Sequence, residues 1–139
     1  MTVVIDASMA LAWVFEREQA GDSALAGRLL EACGEQALWV PGLWHLELAN
    51  ALLVAERRGV IAADASDLFL DRLRSLPIRT DADGAQERQL RVFALARIHG
   101  LSSYDAAYLE LAQRLGATVA SFDRRLKHAA ADLSLALYR

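Results

Sequence analysis

Cysteine is nearly missing from this chain. Cys33 stands alone, so no internal disulfide can form, and a reducing, cytoplasmic setting is the simplest expectation. No run of about eighteen apolar residues occurs, because charges such as Glu16 and Arg28 interrupt every candidate, so a membrane span is not expected. The first residues lack a basic leader and run straight into strand-like sequence, so no signal peptide is expected. A glycine-rich phosphate loop is absent, which argues against nucleotide-binding folds. Lys127 is the only lysine, and the net charge is −3, a balance that disfavours a broad basic face coating nucleic acid. Arginines outside an acidic cleft can still grip phosphates with bidentate geometry. Internal repeats, low-complexity segments and dividing linkers are also lacking.

What remains is a chain of 139 residues, 55% hydrophobic and 24% charged, enough for one compact domain with a continuous core. Val3-Val4-Ile5 reads as a strand buried on both faces, stopping at Asp6. Met9 to Phe15 predicts a short buried helix, and Ser23 to Cys33 an amphipathic one closed by Gly34. Ala37 to Val40 is a second strand, stopped by Pro41-Gly42. Leu43 to Arg58 follows as a helix with Leu46, Ala49, Leu52 and Leu53 as its apolar positions, ended by basic residues and Gly59. Ala63 to Leu76 is a further helix with Leu68, Phe69, Leu70 and Leu73 inside. Pro77-Ile78-Arg79 is a break or short strand. Asp81 or Asp83 is expected to cap a helix to His99, with Val92, Phe93, Leu95, Ala96 and Ile98 apolar. Ser102 opens a helix through Leu115, Ala117 to Ala120 is a strand, Asp123 to Ala130 a short helix, and Leu133 to Leu137 a last strand. Helices alternating with short apolar strands predict a three-layer α/β/α fold on a mostly parallel sheet.

In a parallel sheet, Asp6 and Asp123 would share the carboxyl edge, where such folds place ligands. If the helices carrying Glu47 and Asp105 begin at that edge, four carboxylates meet in one crevice. Like charges so close repel, and some would stay protonated unless hard divalent cations such as Mg²⁺ or Mn²⁺ neutralised them. Each acid also has a plain structural explanation. Asp6 and Asp123 suit helix N-caps; Ser102 to Asp105 matches a capping box; Glu47, with Asn50 three residues on, could face solvent.

Taken in order, these residues resemble the PIN-domain nucleases. Ile5-Asp6-Ala7-Ser8 is similar to that family's first motif, and Glu47 to Leu52, following Pro41, to its second. Leu101 to Ala112, with Ser102-Ser103-Tyr104-Asp105 at its head, resembles the third, and Ser121-Phe122-Asp123 the last. Length and layout resemble the VapC-type toxins of bacterial and archaeal toxin–antitoxin pairs. The likeness runs from Val3 to Leu137, although Ala62 to Asp83 carries no motif that transfers.

That resemblance implies an endoribonuclease using Mg²⁺ or Mn²⁺ and held inactive by a cognate antitoxin. Asp6, Glu47, Asp105 and Asp123 would take the acidic roles, with Asp6 and Asp105 as direct metal ligands. Glu47 would ligate or orient water, and Asp123 would complete a second ion. Ser8, Ser121 and Asn50 would hydrogen-bond the carboxylates or metal-bound water. Antitoxins of this family lay a tail along the nuclease groove, so Trp13, Leu43 and Trp44 are candidate anchors for it, with core packing the alternative. The family also implies a homodimer. Arg124, Arg125 and Lys127, just after Asp123, are candidates for RNA phosphates or for a solvated helix face. His45, His99 and His128 are isolated imidazoles and make no transition-metal site.

Two other readings compete. A haloacid-dehalogenase-like phosphatase also begins with a strand ending in aspartate, but it needs a second Asp two residues on, where this chain has Ser8. A non-catalytic PIN-like module binding RNA or a partner is the other, and the presence of all four acids argues against it.

Overall fold

The run of β-branched residues at the start does what such residues do when buried on both faces: Val3, Val4 and Ile5 form the centre of a sheet and are fully buried. A computed structural model describes residues 1–82 and 84–139. Its four strands are β1 (Thr2–Ile5), β2 (Ala37–Pro41), β3 (Ile78–Asp81) and β4 (Thr118–Ala120). All pairings are parallel, in the order β3-β2-β1-β4. Val4 lies between Trp39 on one side and Val119 on the other. The chain first builds outward from β1 and then returns to its opposite side, so β1 and β4 flank the switch point at which parallel sheets form a crevice.

Seven α-helices accompany these strands among the described residues: α1 (Ala7–Leu11), α2 (Ala20–Glu31), α3 (Leu43–Arg57), α4 (Ala63–Arg74), α5 (Ala85–His99), α6 (Ser103–Leu115) and α7 (Arg124–Asp132). This is the α/β architecture expected, a parallel sheet flanked by helices. The pivotal helix is α6, which packs against β1, β2, β4, α5 and α7. Its residues Ala106, Tyr108, Leu109, Leu111 and Ala112 are all buried. Glu110 is buried there too, and Arg114 one turn on satisfies it at 2.8 Å while reaching Asp81 of β3 at 2.6 Å. That double pairing raises the pKa of Arg114 above its ordinary value and ties the sheet edge to α6.

Helix ends follow local chemistry. Ser102 caps α6 by accepting from Asp105 N at 3.1 Å, and Gly116 closes it with φ of 61°. A Cβ at Gly116 would meet nothing within 4 Å, so Gly116→Ala should cost only the left-handed strain, about 1 kcal/mol. Urea unfolding of that variant checks it.

Several boundaries differ from expectation. The segment Leu133–Leu137 is not a strand; Leu137 makes only an isolated parallel bridge to Val119. Alternation of leucine with small residues mimics a strand, but the chain there meets β4 at one register position alone. Helix α1 ends at Leu11, well before Phe15, and α2 begins three residues earlier than its leucines suggested. Asp81 lies in β3 and does not cap α5, whose N-cap is Gly84; Asp83 lies outside the described residues.

The inward faces of two helices also differ. On α3 the buried side chains are Trp44, Leu48 and Leu52, whereas Leu46 is 75% exposed and Leu53 45%. On α5 only Leu95 is buried, and Phe93 and Ile98 face solvent. On α4, Leu68 points outward.

Candidate active site

Burial and backbone pairing set the position of Asp6. Its N–H continues the ladder past the end of β1, donating to Ala120 O at 3.1 Å, so Asp6 stands directly beside the end of β4. Its side chain is 6% exposed and both oxygens are engaged. Oδ1 accepts from Ser8 Oγ at 2.6 Å and from Met9 N at 3.0 Å, and Oδ2 accepts from the Ser121 hydroxyl. The two serines are themselves held: Ser8 Oγ accepts from Phe122 N at 3.0 Å, and Ser121 Oγ from Asp123 N at 2.9 Å. A closed ring of bonds thus links the ends of β1 and β4. Asp123 caps α7 by accepting from Leu126 N at 3.0 Å. The capping and functional readings of Asp6 and Asp123 hold together, because a carboxylate has lone pairs beyond those used by one backbone N–H.

Glu47 and Asp105 come from α3 and α6. Glu47 is half-buried, and its Oε1 accepts from the Tyr108 hydroxyl at 2.5 Å. Tyr108 was not singled out from sequence. The signal was available, since it follows Asp105 by three positions and shares its helix face.

Burial, with neighbouring carboxylates adding to it, raises three of the acids. Burial above all pushes Asp6 from 3.8 up to about 6, against the lowering hydrogen bonds of Ser121, Ser8 and Met9, with the charge of Asp123 adding to the rise. Glu47 is raised by burial and by Asp105, while the Tyr108 bond lowers it. Asp105 is raised by burial and by Asp123, and lowered by Ser102 and Arg125. Burial and Glu47 together hold Tyr108 firmly in its neutral, donating form.

Among the described residues, no three His, Cys, Asp or Glu side chains stand close enough together to hold a metal ion between them. The donor set nonetheless suits a hard divalent ion. It is all carboxylate and hydroxyl oxygen, and the burial that chiefly raises Asp6, Glu47 and Asp105, with carboxylate repulsion adding to it, penalises charge that a cation would balance.

The remaining expected residues separate. Asn50 is exposed and makes no hydrogen bond to the acids among the described residues. Arg124 and Arg125 line one cleft, with His99 and His128. Lys127 lines a different one, with Ser121, Phe122 and Tyr138.

The three candidate partner anchors lie in different settings. Trp44 is 2% exposed and belongs to the core, so it offers no surface. Trp13 lies past the end of α1, half-buried, and its indole N–H donates to Ala26 O at 2.8 Å, fastening that turn to α2. Leu43 is half-buried at the start of α3 and lines a cavity against Val92 and Phe93 of α5.

Comparison with known proteins adds to this geometry. A family model described as PIN domain matches residues 3–132. Ribonuclease VapC3 of Pyrobaculum aerophilum is 32% identical over 130 residues, covering 91% of this chain and 92% of that protein. The crystal structure of PAE2754 from Pyrobaculum aerophilum is similar with a TM-score of 0.69 and 24% identity, over 93% of this chain and 87% of that one. The crystal structure of FitAcB from Neisseria gonorrhoeae gives 0.64 and 14% over 99% and 96%. At those identities the two structures speak for the fold alone. The family match, spanning nearly all of the sheet and its helices, and the relative of similar length lead to one conclusion: this chain belongs to the PIN-domain family.

Proposed function

We infer that this protein is a metal-dependent endoribonuclease, the toxin component of a toxin–antitoxin pair. One observation carries the reading. Asp6 is fixed at the sheet's switch point by Ser8 and Ser121, in electrostatic contact with Asp123, which in turn acts on Asp105, which acts on Glu47. Ribonuclease VapC3, the 32% identical relative, supports ribonuclease chemistry.

Asp6, Asp105 and Asp123 would hold Mg²⁺ or Mn²⁺. The chemistry that such an ion supplies when bound is Lewis acidity, which polarises a phosphodiester and makes water a stronger acid. The chain's own residues do the rest. Ser8, Ser121 and Met9 N–H keep the Asp6 carboxylate from rotating, so its orientation is set before substrate arrives. Tyr108 occupies Oε1 of Glu47, which leaves Oε2 to orient a water and take its proton. The raised pKa of Glu47 makes it a better base than an ordinary surface glutamate.

Tyr108→Phe removes the bond that lowers Glu47, so the pKa of Glu47 should rise further and the acid limb of the pH–rate profile should move to higher pH. The accompanying stability change should be on the order of 1 kcal/mol. An unmoved limb would remove Glu47 from the proton-accepting role.

The reading as a whole is tested by incubating purified protein with structured RNA, with Mg²⁺, with Mn²⁺ and with chelator. Cleavage is expected only with metal and is expected to vanish in Asp105→Asn. Cleavage that survives that change would end the assignment. Phosphate release from small phosphomonoesters without RNA cleavage would point instead to a phosphatase. Induction of the gene in cells should arrest growth, with rescue by Asp6→Asn or by a co-expressed antitoxin. A homodimer is part of the same proposal, and sedimentation measures it.

A further inference from the structure

An acid site repels the polyanion it is meant to cut, so the phosphates flanking the scissile one need cations nearby. A cleft built this way lies beside the acids. It has a volume of about 550 Å³, lies between the end of α5 and the exposed face of α7, and is lined by Ile98, His99, Arg124, Arg125, His128 and Asp132. Arg124 and Arg125 are the first two residues of α7, directly after its N-cap Asp123, which sets the cleft next to the acid site.

The two arginines are also available. Some other arginines are engaged: Arg17 with Asp22, Arg114 with Asp81 and Glu110, Arg88 with Glu110, and Arg97 over the ring of Phe93. Among the described residues, neither Arg124 nor Arg125 has an ion-pair partner, and both are exposed. His128 pairs with Asp132 at 3.6 Å, and that carboxylate marks the far, less cationic end of the cleft.

We propose that this cleft carries the phosphodiester backbone of the RNA strand leading away from the acid site. Arg125 takes the phosphate nearest the acids, and Arg124, His99 and His128 take those beyond. This rests on the ribonuclease reading and adds a track to it. It also removes Lys127 from the RNA-binding set, because that side chain faces a separate depression with Tyr138 and Arg139.

The test measures binding of a fluorescent single-stranded RNA to the Asp6→Asn protein, which retains RNA uncut, across a range of NaCl concentrations. The slope of log affinity against log salt should shrink by about 0.7 for Arg124→Ala, and by about twice that for the double change with Arg125→Ala. Lys127→Ala should leave the slope unchanged. If RNA binds and is cleaved by the unaltered protein but the arginine variants keep its full salt slope, the track is wrong and the ribonuclease reading stands. Absence of both RNA binding and cleavage in the unaltered protein would overturn both. Variants that keep RNA affinity but lose a co-expressed protein partner would assign the cleft to that partner and overturn the proposal.

Discussion

Asp6→Asn is expected to abolish RNA cleavage and at the same time to make the metal-free protein more stable at pH 8. The loss of activity should be on the order of 10³-fold, the scale of removing one preorganised charged group from a reaction centre. The gain in stability follows from burial. Asp6 titrates at about 6 in the fold against 3.8 in an unperturbed chain, chiefly because it is buried. Between those values the folded protein binds a proton that the unfolded chain has released. Stability therefore falls as pH rises through that window, and the whole penalty is present above it. Its size is roughly 3 kcal/mol. Asparagine never ionises, so the variant should lead by about 2–3 kcal/mol at pH 8 and by little at pH 4. Glu47 and Asp105 are raised in the same sense, so some pH dependence will persist. Urea unfolding at the two pH values, with chelator present, measures the difference. Equal destabilisation at both would mean that the serine bonds to Asp6 outweigh its burial.

Leu109→Ala should be the most damaging truncation away from the acids. Leu109 is fully buried on α6, the helix that meets three of the four strands, and its neighbours Tyr108 and Leu111 are buried as well. The expected cost is about 2–5 kcal/mol, lost transfer energy plus an unfilled cavity. Leu46→Ala makes a direct contrast, because Leu46 is 75% exposed, and its change should lie within about 0.5 kcal/mol. Denaturant midpoints measure both, and the Leu46 value reports which face of α3 points inward. A larger loss at Leu46 than at Leu109 would place that residue in an interface or reverse the face.

The contrast also shows where sequence reasoning succeeds. Val3-Val4-Ile5 is apolar without interruption, so it has no solvent face to choose and can only be a central strand. Asp6 ends that strand, and once the sheet is parallel it stands beside the end of β4, just after which lie Ser121 and the α7 cap Asp123. Helix caps at Ser102 and Asp123 are local chemistry and were legible. Faces of helices are less so when apolar residues encircle them. On α3, Trp44, Leu46, Leu48, Leu52 and Leu53 admit two stripes, and tertiary packing chose the one containing Trp44. That choice also removes Trp44 from the surface.

The pairing of Tyr108 with Glu47 joins residues 61 positions apart. No local pattern encodes such a contact, although the shared face with Asp105 hinted at it. The ion network of Asp81, Glu110 and Arg114 was illegible for the same reason. The separation of Lys127 from Arg124 and Arg125 depends on how α7 rests on its neighbours, with Leu126, Ala129 and Ala130 inside.

The central claim is that acids from β1, α6 and the turn after β4 close around a divalent ion. Crystals soaked in Mn²⁺ and measured at the manganese edge test it directly. An anomalous peak about 2.0–2.2 Å from an Asp6 oxygen, also ligated by Asp105 or Asp123 and lost in Asp6→Asn, is the expected result. Full Mn²⁺-dependent cleavage by crystals or solutions whose only bound ion lies away from Asp6 would contradict it.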